Sequence, residues 1–344
     1  MKTLDCRDSL LAMSKPAVSV VVPAYNEEGN VRELFRGIVA ALSKTHETFE
    51  VLFVDDGSSD STAERVAAIC KADPRVGLIR LSRNFGHQAA LMAGLDHARG
   101  DAVIVMDADL QHPPDLIPRL IDRWRSGVQV VQSVRQDNSA TGVLKRTTSR
   151  LAYWFLRRLT NIPITEAAAD FFLLDRKALN ALNSCREKGR FTRGLVAWVG
   201  FQRETVTYNC GERYTGTSKY TFRKMLAFFL DGVFAFSVTP LRVTGLLGLA
   251  TAVGGLLYLV YVLAVILSGK WRLPGWASLV GVFVVMNGVQ LISLWALGEY
   301  VARTAENARG RPSYLVDQFL APESGKARSD DTAEQSDGRK ASSS

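Results

Sequence analysis

Between positions 17 and 134 the chain alternates two kinds of apolar pattern. The runs "VSVVVPAY" (18–25), "FEVLFVDD" (49–56), "RVGLIRLS" (75–82), "DAVIVMDAD" (101–109) and "VQVVQSVR" (128–135) are short and apolar almost throughout. That predicts strands buried on both faces. Separating them are "NEEGNVRELFRGIVAALSKT", with Val31, Leu34, Phe35, Ile38, Val39 and Leu42 at helical spacing, then "STAERVAAICKA", which opens on a Ser or Thr cap, and "HQAALMAGLDHARG". The expected fold class is α/β, with a mostly parallel sheet. Ligands of such sheets bind beyond the carboxyl ends of the strands. Tyr25, Asn26, Glu27, Asp55, Asp56, Asp107 and Asp109 all fall just past a strand end, so they are expected to share one crevice.

A different pattern follows. Residues 243–268 and 276–298 carry no charge, and each run exceeds the roughly 20 residues that a membrane-crossing helix needs. A connection over 269–275 makes them a hairpin. Lys219, Arg223, Lys224 and Arg242 precede the first run and Arg303, Arg309 and Arg311 follow the second, against Lys270 and Arg272 between them. The positive-inside bias then places the large N-terminal part and the tail on the cytoplasmic side of a plasma membrane. The opening residues have scattered charges and no apolar stretch of signal-peptide length. Over 220–242, Met225, Leu226, Phe228, Phe229, Val233, Phe234 and Phe236 stand beside Arg223, Lys224 and Arg242, which suits a helix lying in the membrane interface or one packed on the preceding domain. The expected organisation is an N-terminal tail (1–16), a catalytic domain (17–219), juxtamembrane helices (220–242), two spans (243–268 and 276–298) and a cytoplasmic tail (299–344), disordered from about 323.

The net charge of +8 over 344 residues raises the question of nucleic acid. No zinc-finger, RRM-type or basic-zipper pattern is present, and the basic residues thicken towards the membrane-proximal part, so lipid headgroups and phosphorylated ligands are the expected partners. The four cysteines lie far apart with no CxxC, and the four histidines show no metal-ligand spacing.

Candidate chemistry therefore rests on acids. In "DDGSSDST" (55–62) the carboxylates suit a turn or helix cap as well as a site. In "MDADLQ" (106–111), Asp107 and Asp109 share one short loop and repel unless a cation or donors sit between them. Oxygen-only ligation with Gln111 nearby suits a hard ion, Mg²⁺ or Mn²⁺, whose shell substrate phosphates complete. No GxGxxG follows a strand, and "GERYTGTSKY" (211–220) lacks the order of a P-loop. Without a glycine cradle, a diphosphate needs cations, for which Arg135, Arg146, Arg213 and Lys219 are candidates, each also readable as a surface charge.

Taken together, "VVVPAYNEEGN", "VLFVDDGSSDST", "LSRNFGHQAALMAGLDHARGDAVIVMDADLQHPPDLIP", "RYTGTSKY" and "TPLR" ahead of a two-span hairpin resemble the polyprenyl-phosphate glycosyltransferases of glycosyltransferase family 2. "RFTRGLVAWVGFQ" (190–202) and "GEY" (298–300) lean towards the bactoprenol glucosyltransferase branch. The resemblance implies a GT-A fold, a nucleotide-sugar donor, a divalent metal and a polyprenyl phosphate acceptor at the membrane face. It also implies an inverting transfer, with glucose from UDP-glucose to undecaprenyl phosphate as first choice, and leaves room for a homo-oligomer, tetrameric by family resemblance. Carried over, Pro23, Ala24, Tyr25, Glu27 and Asp55, with Asp56 beside it, hold the nucleoside. Asp107, Asp109 and Gln111 hold metal and diphosphate, and Arg135, Arg146, Arg213, Ser218 and Lys219 lie near the phosphates. Asp170 in "AAADFFLLDR" matches the acid near the reacting centre, although Phe172 stands where relatives often carry arginine. A lipid phosphate is largely a dianion at neutral pH, so Asp170 is expected to orient rather than to abstract a proton. The alternatives are a processive polysaccharide synthase, whose QxxRW sequence is absent, and a membrane-tethered nucleotide-sugar-binding scaffold.

Overall fold

The computed structural model describes residues 15–136, 158, 168–185, 187, 192–209, 233–234, 237–268 and 275–323. The expected strands are β1 (Val18–Ala24), β2 (Phe49–Asp55), β3 (Val76–Leu81), β4 (Ala102–Val105) and β5 (Val130–Gln136). They join β6 (Ala168–Asp175), β7 (Arg203–Asn209) and β8 (Val316–Leu320) in one eight-stranded sheet of order β7-β5-β6-β4-β1-β2-β3-β8. β1 pairs in parallel with β2 and β4, β2 with β3 and β5 with β7, while β6 runs antiparallel between β4 and β5 and β8 antiparallel along β3.

Alternate strand residues feed two separate cores. Val20, Val22, Val51, Phe53, Ala102 and Ile104 pack with α1 (Val31–Ser43), α2 (Thr62–Ala72) and α4 (Ile117–Arg125). Val21, Leu52, Val54, Val103 and Val105 pack with α3 (His87–His97), α5 (Arg176–Ser184) and α6 (Thr192–Trp198). With helices on both faces, no residue inside β1 or β4 can be polar and wet, which accounts for runs apolar but for the buried Ser19. Helix α3 packs against β1 and β2, and glycine permits the approach: a Cβ on Gly94 would overlap the Val21 side chain and stand 3.0 Å from Val54 Cγ2.

The two apolar runs form α7 (Thr239–Leu267) and α8 (Trp276–Ala308), which pack as a hairpin. Their candidate membrane segments, Thr239–Val265 and Leu279–Ala308, have mean hydropathies of 2.1 and 1.9. Both helices run past the apolar limits. Helix α7 starts at Thr239 because Pro240 is tolerated in a first helical turn and Ser237 Oγ accepts from the Thr239 amide at 3.1 Å. Helix α8 continues through the polar residues to Ala308. Its lower end is tied to the segment before α7: Tyr300 Oη donates to the Ser237 carbonyl at 2.6 Å, and the Phe234 ring lies 5.3 Å from Tyr300 and 5.7 Å from Trp295. Beyond α8 the chain returns to the sheet as β8, a strand not anticipated in the tail. Ser82 N donates to Leu315 O at 2.9 Å and Tyr314 Oη to Asp96 Oδ2 at 3.0 Å. The expected interfacial helix, over most of its length, and the expected disorder of the final segment lie outside the described residues.

Gly94→Ala is expected to destabilise the soluble domain by about 1–3 kcal/mol, the usual range for overpacking a closed core. Gly29→Ala, where nothing stands within 4 Å of the added carbon, should be close to neutral. Thermal melts of both variants check this, and equal melting temperatures would refute the tight α3–β1 contact.

Candidate active site

The expected crevice forms where β1, β2 and β4 end side by side, and β6 completes it. The antiparallel register matches Ala102 with Asp175 and Val105 with Phe172. Two residues further along each strand, Asp107 comes opposite Asp170. Two acids 63 positions apart in sequence are thereby set together, and the pairing of β6 with β4 is the cause.

A buried carboxylate at the other end of the sheet shows what a structural acid looks like here. Glu50, 2% exposed, accepts from Ser19 Oγ at 2.6 Å, from Arg99 N at 2.8 Å and from Arg99 Nε and Nη2 at 2.9 and 2.7 Å. Asp107 differs. Its Oδ1 is sealed from solvent with no hydrogen-bond partner, and burial pushes its carboxyl up to about 7, helped by Asp170 and Asp109 and opposed by His112 and Arg193. Asp170 has the opposite setting. Burial alone would raise it, but Arg193 grips it with Nε to Oδ1 at 2.7 Å and Nη2 to Oδ2 at 2.8 Å and, with His87 and His112, holds it below the usual carboxylate range. His87 Nε2 stands 3.6 Å from Asp107 Oδ1 and 3.8 Å from Asp170 Oδ2. His112 Nδ1 accepts the Asp107 amide at 3.1 Å, and its ring stacks on Phe171 with centroids 5.1 Å apart.

Leu110 turns the "DADLQ" loop back on itself with a φ of 61°, a left-handed conformation uncommon for a branched side chain. Asp109 Oδ1 then accepts the Gln111 amide at 3.1 Å, and the Gln111 side chain also donates to Asp109. Gln111 therefore points its amide nitrogen at the acid it was expected to assist. Glu27 belongs to the same rim: burial raises its carboxyl, Asn30 lowers it, and Asp109 and Asp60 raise it further.

The remaining predicted residues divide. Pro23 and Ala24 are buried inside β1, so only their backbone can face a ligand, whereas Tyr25 is 46% exposed at the crevice mouth. The next residue, Asn26, is left-handed with a φ of 55°, and the turn is held by Asn26 N to Ser58 Oγ and Ser59 N to Asn26 Oδ1, both 2.9 Å. Asp55 is fully buried, accepts from Ser58 N at 3.3 Å and lies 3.6 Å from Arg80 Nε. Asp56 has both oxygens engaged by backbone amides, Phe85 N at 2.8 Å and Gly86 N at 2.9 Å. Arg135 lies in β5. Arg146, Arg213, Ser218 and Lys219 fall outside the described residues.

Residues 19–182 match the model of glycosyl transferase family 2. "Uncharacterized glycosyltransferase YkcC" of Bacillus subtilis is 40% identical over 87% of this chain and 92% of its own length. The SfII prophage-derived bactoprenol glucosyl transferase of Shigella flexneri is 36% identical over 87% and 97% respectively. This chain belongs to glycosyl transferase family 2. Among solved structures, glucosyl-3-phosphoglycerate synthase of Mycobacterium tuberculosis, crystallised with Mn²⁺, UDP-glucose and phosphoglyceric acid, aligns over 64% of this chain and 78% of that one at 19% identity and a TM-score of 0.47.

In this family 2 glycosyl transferase three further residues join the acid cluster, His87, His112 and Arg193. The histidines lack metal-ligand spacing, so the sequence alone does not mark them. Arg193 lies in "RFTRGLVAWVGFQ" (190–202), and nothing in that run marks it as the partner of an acid 23 positions earlier. Phe172 is 1% exposed in the core.

Two stability measurements check this electrostatic picture. Folded Asp107 binds its proton more tightly than the unfolded chain, whose carboxyl stays near 3.8, so it weakens the metal-free fold progressively as pH rises from about 4 to 7. Asp107→Asn should thus melt at or above the wild type at pH 8 in chelator, with the advantage gone by pH 4. A lower melting temperature at pH 8 would contradict it. Arg193→Ala, which strands a carboxylate only 12% exposed, should cost about 3–5 kcal/mol, and adding Asp170→Asn should recover part of the loss.

Proposed function

We propose that this glycosyl transferase moves one sugar from a nucleotide-sugar donor to a polyprenyl phosphate at the cytoplasmic face of the membrane. Glucose from UDP-glucose and undecaprenyl phosphate are the first choices. The observation that carries the proposal is an acid crevice with one unsatisfied carboxylate, built in a chain whose spanning hairpin leaves from and returns to the same sheet. Relatives bearing the name bactoprenol glucosyl transferase, matched over nearly their whole length, support the lipid acceptor.

The crevice suits a hard divalent cation. Asp107 Oδ1 is buried without a donor and the Asp109 carboxylate adjoins it, while Gln111 gives its side-chain nitrogen to Asp109. Among the described residues no three His, Cys, Asp or Glu side chains gather at ligand spacing, which suits Mg²⁺ or Mn²⁺ shared with a diphosphate rather than an ion caged by protein alone. When bound, such an ion neutralises charge developing on the departing nucleoside diphosphate.

The chain's own residues supply position. Tyr25 and the turn at Asn26 border the nucleoside side, and Glu27, Asp107 and Asp109 line the diphosphate side. Asp170, clamped by Arg193 and kept ionised, is poorly suited to take a proton. None is needed. An oxygen of the lipid phosphate dianion bonds to the anomeric carbon as the bond from that carbon to the diphosphate breaks, which inverts the centre and releases the nucleoside diphosphate. The hairpin keeps the acceptor's phosphate near the crevice while its prenyl chain stays in the bilayer.

A transfer assay on detergent-purified protein with undecaprenyl phosphate, Mg²⁺ or Mn²⁺ and a panel of UDP-, GDP- and dTDP-sugars tests the proposal, with lipid products read by mass spectrometry. One donor should yield a monoglycosylated lipid phosphate, and Asp109→Asn should lower the rate by about 100-fold or more. Polymer formation would point to a processive synthase. Nucleotide binding without any transfer would point to a scaffold.

A further inference from the structure

Asp56 and His87 have no part in that chemistry, yet they are linked through the backbone. Asp56 is 3% exposed, with one oxygen on the Phe85 amide and the other on the Gly86 amide. Its neighbour Gly57, at a φ of +65°, lets the loop after β3 close on the turn: a Cβ there would lie 2.5 Å from the Arg83 carbonyl carbon and 2.7 Å from Asn84 N. The loop ends at Gly86 (φ +98°), and the next residue is His87. The end of β2 therefore sets where His87 begins α3. That histidine is 41% exposed along its side chain, and Nε2 lies between Asp107 on the β4 side and Asp170 on the β6 side. Gln88 accepts a hydrogen bond from Thr192, beside Arg193, so the same turn also touches the element that clamps Asp170.

We propose that Asp56 and His87 form a positioning relay: Asp56 fixes the loop at Phe85 and Gly86, the loop places His87, and the imidazole, 3.6 Å from Asp107 Oδ1 and 3.8 Å from Asp170 Oδ2 and beyond hydrogen-bond distance of both, spaces the two carboxylates across the crevice. The relay rests on the transfer reading above for its effect on rate, but its geometry stands apart from it. It reassigns Asp56 from the nucleoside to the scaffold of the site, since a residue so enclosed, with both oxygens filled, offers a donor nothing to bind.

The test uses full-length protein and the variants His87→Ala, His87→Gln, Asp56→Asn and the double Asp56→Asn/His87→Ala. His87→Ala should lower kcat by about 10-fold or more, as misplacement of a catalytic group does, with the donor KM held within about twofold. His87→Gln, which keeps a donor near the Nε2 position, should recover part of the rate. Asp56→Asn should lower kcat in the same way, and the double variant should be no worse than the worse single, because both changes break one chain of contacts. Carbethoxylation of His87, followed by peptide mass spectrometry, reads its placement without any turnover, and Asp56→Asn should speed it several-fold. Asp56→Ser, which keeps one acceptor, replaces Asp56→Asn if that variant does not fold. Additive losses, a raised donor KM with kcat intact, or unchanged reactivity of His87 would each overturn the relay. If the wild type itself transfers no sugar, the transfer reading fails, and the carbethoxylation rates alone decide the relay.

Discussion

A strand covered by helices on both faces has nowhere to keep a charge except at its ends, and this constraint organises the molecule. β1 and β4 bury every residue, and β2 all but its first. Acids inside β2 stand only near its two ends, Glu50 and Asp55, while Asp56, Asp107 and Asp109 fall in the turns that follow the strands, and parallel pairing of β1 with β2 and β4 brings those turns together. The crevice follows from the sheet's dryness as much as from any single side chain.

Within the crevice, charge is distributed unevenly. Glu50 shows that this fold can saturate a buried carboxylate when only stability is at stake. Asp170 is nearly as well served by Arg193, while Asp107 keeps an oxygen without a donor and a raised carboxyl. Leaving one acid unsatisfied beside a clamped one weakens the metal-free fold, a cost that is characteristic of functional rather than structural sites.

The apolar hairpin is tied to its own entry segment and, through β8, to the sheet. Tyr300, Phe234 and Trp295 bind the lower end of α8 to the segment that enters α7. β8 then covers the β3 edge, which would otherwise expose unpaired backbone.

The apolar runs with helical spacing between them were enough to read the α/β class, five of the strands, the two long apolar helices and the acids at the strand ends, because burial acts residue by residue and leaves a periodic trace. The family motifs then named the chemistry. What the chain did not disclose was pairing. That β6 enters antiparallel beside β4 and sets Asp170 against Asp107, that Arg193 arrives to clamp it, that Asp56 turns its oxygens to a loop, and that residues 316–320 return to the sheet depend on contacts between segments far apart in sequence. Such contacts have no period to detect, since register and ion pairing are settled only when distant elements share one core.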